Sequence, residues 1–164
     1  MKKLLLTLLF SIIFSITGYA EIANFSNDFT ESKITISFSE RNKSENHYKT
    51  FNTIVFRKEI IQSVPNYKLF LITSTSQTPS TLDKTNFKFD NNKIFSLETN
   101  VEYNSVPRPA AYDLDQEFIN KLLISNSLQI QIPLFTHDKA QIKYLEYTIP
   151  ATVLEEWKQV IAME

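Results

Sequence analysis

Lys33-Ile34-Thr35-Ile36-Ser37-Phe38-Ser39 alternates without a break. Ile34, Ile36 and Phe38 point to one side, and Thr35, Ser37 and Ser39 to the other. A period of two is that of a β-strand, because successive side chains leave the backbone on opposite faces. The same pattern recurs along the chain and sets its class.

A second strand is expected from about Tyr48 to Lys58, where β-branched and aromatic residues are dense. Val64-Pro65-Asn66 reads as a turn. Tyr67 to Thr75 follows, and its Leu69-Phe70-Leu71-Ile72 run is apolar on both faces, as in a central strand covered on both sides. Ser74 to Thr85 is a loop rich in Ser and Thr. Asn86–Phe89 and Lys93–Tyr103 flank Asp90-Asn91-Asn92, a hairpin in which Asn supplies positive φ. In the second arm Phe95, Leu97, Thr99, Val101 and Tyr103 face inward, and Ser96, Glu98, Asn100 and Glu102 outward. Val106-Pro107-Arg108-Pro109 is a stiff connector, since a residue before proline is held extended.

Two helices close the chain. The first starts near Asp113, with Gln116 three residues on in capping-box register. Leu114, Phe118 and Leu122 recur every fourth residue, widened by Ile119 and Leu123. Leu128, Ile130 and Ile132 form a strand that Pro133 weakens or ends. A turn at His137–Ala140 leads to a last strand, Ile142–Ile149. Pro150 suits the first turn of a closing helix with a buried stripe of Val153, Leu154, Trp157, Val160 and Ile161. The expected class is α+β: a mostly antiparallel sheet or sandwich of about seven strands, with two amphipathic helices in the C-terminal third.

Before this domain stand Met1-Lys2-Lys3, an uncharged apolar run from Leu4 to Thr17, and Gly18-Tyr19-Ala20. That is the layout of a secretory signal peptide with a cut after Ala20. The run of about 14 residues is shorter than the roughly 20 a membrane span needs. The expected organisation is therefore a signal peptide at 1–20, a loose N-terminal arm at 21–32 and one globular domain at 33–164. The expected location is periplasmic or extracellular, with no membrane-spanning segment after cleavage.

Removing Lys2 and Lys3 takes the basic count from 17 to 15 against 18 acids, a net charge near −3. That balance argues against a nucleic-acid partner and against a polybasic membrane patch. The chain holds no cysteine, which excludes disulfides, a thiol nucleophile and a lipidated cysteine. Stability must come from apolar burial, and 13 Phe can supply it. The single glycine, Gly18, lies in the signal, so Gly-rich phosphate loops and nucleophile elbows are impossible downstream. Enrichment in Asn, Lys, Ile, Phe and Tyr matches AT-rich codons and is taken as a bacterial bias.

Candidate chemistry is sparse. His137-Asp138 lacks a serine in an elbow context, and His47 lies in a charged loop. Asp113, Asp115 and Glu117 are explained by helix capping and the helix dipole. Asp90-Asn91-Asn92 lacks the glycine and closing glutamate of a calcium loop. Trp157 is expected in the core. Arg108, fixed between two prolines and near Tyr112, is the candidate binding group for a carboxylate or a partner chain. No catalytic residue, metal site or cofactor is assigned. The leading expectation is a non-enzymatic exported module that binds a protein or envelope partner through the Ser74–Thr85 loop and the Val106–Tyr112 connector. The alternatives are a small-molecule carrier with an aromatic-lined pocket and an envelope hydrolase built around His137. Oligomeric state stays open.

Overall fold

The computed structural model describes residues 20–27, 32–40, 51–73, 78–90, 94–101, 109–136 and 141–163. Its strands are β1 (Ala20–Asn27), β2 (Ser32–Glu40), β3 (Phe51–Ile61), β4 (Val64–Thr73), β5 (Thr78–Pro79), β6 (Lys84–Phe89), β7 (Ile94–Glu98), β8 (Asn100–Val101), β9 (Ala110–Leu114), β10 (Leu128–Thr136) and β11 (Gln141–Thr148). The helices are α1 (Gln116–Ile124) and α2 (Ala151–Ala162). All pairings among them are antiparallel. One sheet has the order β1-β2-β3-β4-β9-β8, the other β11-β10-β6-β7 with β5 beside β10. The β-rich α+β class is as expected.

The alternation at 33–39 is met by β2, but the side turned inward is the polar one. Ser37 and Ser39 are buried, while Phe38 is 39% exposed. The register explains this. Ser37 lies opposite Phe56 and Ser39 opposite Ile54, on the face where α2 packs across β1, β2 and β3. Small side chains on β2 let the helix come close, and α2 fills the space with Trp157. Its ring stacks on Phe56 at 5.2 Å.

The rest of that inner face meets the second sheet. Leu69, Leu71 and Tyr112 from β4 and β9 join Phe87, Leu128 and Ile130 from β6 and β10, all 1% exposed or less. Edge-to-face contacts link Phe87 to Tyr112 at 5.4 Å and to Phe118 of α1 at 5.1 Å. Such pairs each add about 0.5–1.5 kcal/mol beyond burial. Trp157 is a core residue, as its spacing implied.

Several boundaries differ from the sequence reading. The segment expected as a loose arm holds β1, an eight-residue edge strand paired along its whole length with β2. The turn expected at Val64–Asn66 lies two residues earlier. Gln62 and Ser63 take φ of 49° and 67°, the positive pair a two-residue hairpin needs, and Val64 already begins β4. Pro133 does not end β10. It falls where pairing with β6 has stopped at Gln131 and pairing with β5 begins at Leu134, so its missing N–H breaks no ladder there. The described strands number eleven, not about seven, because β1, β5 and β9 carry weak periodicity or are too short to show one, and because the arm expected as one strand at Lys93–Tyr103 breaks at Thr99 into β7 of one sheet and β8 of the other.

The first helix is capped by Asp115, whose carboxylate accepts from the Phe118 N–H at 2.8 Å. Asp113 sits in β9 instead. The hairpin at β6–β7 is as expected, but the positive φ described there, 45°, is that of Asp90; Asn91 and Asn92 lie outside the described residues. Lys58, buried on β3, reaches the far end of α2. Its ammonium donates to the carbonyls of Ile161, at 2.8 Å, and Met163. A cation there satisfies orphan carbonyls and meets the negative end of the helix dipole.

Candidate interaction face

Because the polar side of β2 is taken by α2, its apolar side lies on the outside of the six-stranded sheet. Register then assembles a surface. Phe38 lies beside Val55, Val55 beside Phe70, and Phe70 beside Ala111, one row across β2, β3, β4 and β9. Phe25 on β1 lies opposite Ile34, and Ala23 opposite Ile36, which carries the surface to the sheet edge. Phe25 is 57% exposed. Ile34, Ile36, Val55, Phe70 and Ile72 are half-buried. The face expected to be covered over Phe70 and Ile72 is thus only partly sheltered.

Charges sit in the next row, and they cancel. The Arg57 guanidinium contacts the Glu59 carboxylate at 2.5 Å, and the Lys68 ammonium contacts Asp113 at 3.2 Å. Two cations meet two anions. The exposed Lys68–Asp113 pair adds little stability; the effect of the two pairs together is to leave the face without net charge. The Arg57 Nε has no hydrogen-bond partner among the described residues.

Tyr112, expected to stand with Arg108 at a binding connector, is only 1% exposed. This corrects the expectation, since a ring in the interior cannot meet a partner. Ala110–Leu114 is not a connector but strand β9. The Tyr112 hydroxyl is 2.7 Å from the Thr85 hydroxyl, which lies 2.9 Å from that of Thr99. Burial pushes the phenol up to about 12, against the pull of hydrogen bonds from Thr85 and Thr99. The chain of hydroxyls pins one sheet to the other. Thr85, the end of the loop expected to bind, is buried in β6 by that same contact.

Arg108, His47, His137 and Asp138 lie outside the described residues. The acidic trio is split three ways: Asp113 pairs with Lys68, Asp115 caps α1, and Glu117 pairs with Lys121 at 3.3 Å. Asp90 staples the hairpin to the end of α1. Desolvation opposes its ionisation, but hydrogen bonds from Asn126 and Ser127 outweigh that and hold its pKa below the usual value. Among the described residues no group of three His, Asp or Glu could hold a metal ion. No helix of the described residues is long and apolar enough to cross a membrane.

The sequence reading did not single out Phe25, Phe38, Val55 or Phe70 as a surface. Their one signal was strict alternation in which the polar side carried small residues, Ser37 and Ser39, that suit close helix packing.

No protein-family model matches the chain, and no curated protein does. Among solved structures, the chain is similar to invasion associated protein B from Bartonella henselae. The TM-score is 0.54 over 88% of this chain and 94% of that one, at 10% sequence identity. At that identity the likeness concerns the fold alone.

Proposed function

We propose that this protein is an exported, non-enzymatic binding module that docks a partner protein on the outer face of its six-stranded sheet. The observation that carries this reading is the apolar row Phe38–Val55–Phe70–Ala111 with Phe25 beside it, turned away from the core. Exposed apolar surface is costly to display and marks interaction sites. Export rests on the basic start, apolar run and small-residue cut at Met1–Ala20.

A protein suits the face better than a lipid surface does. The row of charges is neutral in sum, and the chain after the signal is slightly acidic, so nothing draws it to anionic headgroups. The carrier alternative is less favoured, because Phe56, Trp157, Phe87, Tyr112 and Phe118 fill the space a ligand would occupy.

A photo-crosslinking residue in place of Phe38, expressed in the native host, tests the reading. A discrete protein adduct is expected, and the same probe in place of Ile94, on the other sheet, should not form it. No adduct at position 38, or the same adducts at both positions, would overturn it. Intact mass of the native protein checks export separately, since residues 1–20 should be missing.

A further inference from the structure

The outer face of the five-stranded sheet is built differently and is independent of the docking face. Four side chains form one continuous hydrogen-bonded row across β7, β6, β10 and β11. The Ser96 hydroxyl donates to Asn86 Oδ1 at 2.7 Å, Asn86 Nδ2 donates to Gln131 Oε1 at 2.9 Å, and Gln131 Nε2 donates to Glu146 Oε1 at 3.0 Å. A carboxylate only accepts, so Glu146 sets the direction of the whole relay. Gln131 must present its amide N–H to Glu146 and its carbonyl to Asn86, and Asn86 must do the same in turn.

Beside this row runs a second one, set by register. Ile94 lies opposite Lys88, Lys88 opposite Gln129, and Gln129 opposite Thr148. Together the rows, all but Ser96 at the sheet edge, line a depression of about 340 Å³, at the small end of the range of ligand sites. Four strands set about 4.8 Å apart make it roughly 14 Å long.

We propose that this depression binds an uncharged, hydroxyl-rich chain: a neutral glycan. Three observations converge. First, each amide spends one N–H and one lone pair within the row, which leaves one of each on Asn86 and on Gln131. A ligand that both donates and accepts, as a hydroxyl does, can use both. Second, the charged members Lys88 and Glu146 are one cation and one anion, so the site favours neither a phosphate nor a metal ion. Third, apolar surface flanks the polar rows. Ile94 is 55% exposed at one end, and Tyr144, 52% exposed, lies two residues from Glu146 on β11. A sugar ring presents hydroxyl edges and C–H faces, and this surface offers partners for both. An extended peptide would favour the free backbone of a sheet edge.

Cellohexaose, maltohexaose and chitohexaose, each uncharged, are titrated into the isotope-labelled protein and followed by NMR, beside a heparin hexasaccharide and an uncharged hexapeptide. At least one neutral sugar should shift the backbone amides of β6, β7, β10 and β11, and the side-chain amides of Asn86 and Gln131, to saturation. Gln131→Ala should weaken binding about tenfold and Ser96→Ala, at the sheet edge, about threefold. Phe38→Thr, on the other sheet, should leave it unchanged. If Gln131→Ala loses its dispersed spectrum, Ser96→Ala alone decides. No shift with any neutral sugar, shifts from only the anionic sugar or the peptide, or affinity unaltered in the variants would overturn the proposal.

Discussion

The two outer faces of this protein are opposites. Outside the six-stranded sheet, Phe25, Phe38, Val55 and Phe70 make an apolar surface with self-cancelling ion pairs. Outside the five-stranded sheet, Ser96, Asn86, Gln131 and Glu146 make a polar relay. The polar outside is what a half-buried antiparallel sheet ordinarily shows. The apolar outside needs a cause, and that cause lies on the other side of the sheet. There α2 demands small neighbours, takes Ser37 and Ser39, and holds Ser37 through Glu156 at 3.3 Å. Burial pushes the Glu156 carboxyl above its usual range, with the Ser37 hydrogen bond pulling the other way. What teaches most is that a strand's alternation has no sign until its cover is known.

The comparison can be broken most forcefully at Trp157. Trp157→Ala removes the group that fills the gap over β2 and β3, and it should cost about 3–5 kcal/mol, read as a lower urea midpoint. A loss below about 1 kcal/mol would mean that α2 does not hold the polar side of β2 inward.

A smaller effect tests the clamp between the sheets. The Tyr112 phenol is raised to about 12 from an ordinary 10.0. Its neutral form is therefore favoured by folding. Above pH 10 the unfolded chain loses this proton while the folded one keeps it, so stability should fall between pH 10 and 12 and then level off. Tyr112→Phe should lose about 1 kcal/mol at neutral pH, as Thr85 loses a partner, and flatten that alkaline slope. Unfolding curves across this window, with the same slope in both proteins, would assign the alkaline loss elsewhere.

The smallest effect on folding belongs to the faces themselves. Phe38→Thr, at the exposed surface, should change stability by about 0.5 kcal/mol or less, and Gln131→Ala, half-buried within its row, by less than about 1 kcal/mol. Thermal melts check this. A loss of several kcal/mol at Phe38 would make the apolar row part of the core, and the contrast between the two faces would collapse.

Much of the fold was legible. Strict alternation placed β2, the second arm of the β6–β7 hairpin and β10. Fourfold spacing placed Phe118, Leu122, Val153 and Trp157 on buried helix faces. Less local features were not. Gln62-Ser63 contains neither Gly nor Asn, so its positive φ values were hidden. Asp115 outcompeted Asp113 as cap because β9 pairing claims Asp113 opposite Lys68. The candidate site was hardest. Arg108 stands out as a scarce arginine between two prolines with Tyr112 nearby, yet Tyr112 turns inward because β9 joins the sheet beside β4.

By itself, the sequence determined the β-rich class, the two amphipathic helices and the absence of cysteine and glycine chemistry, because these depend on local periodicity and residue type. Tertiary structure alone decided which side of β2 faces water, which amides line up across four strands, and that Tyr112 is a clamp. Those outcomes depend on register and on what packs against each face, and both are set by residues far apart in the chain.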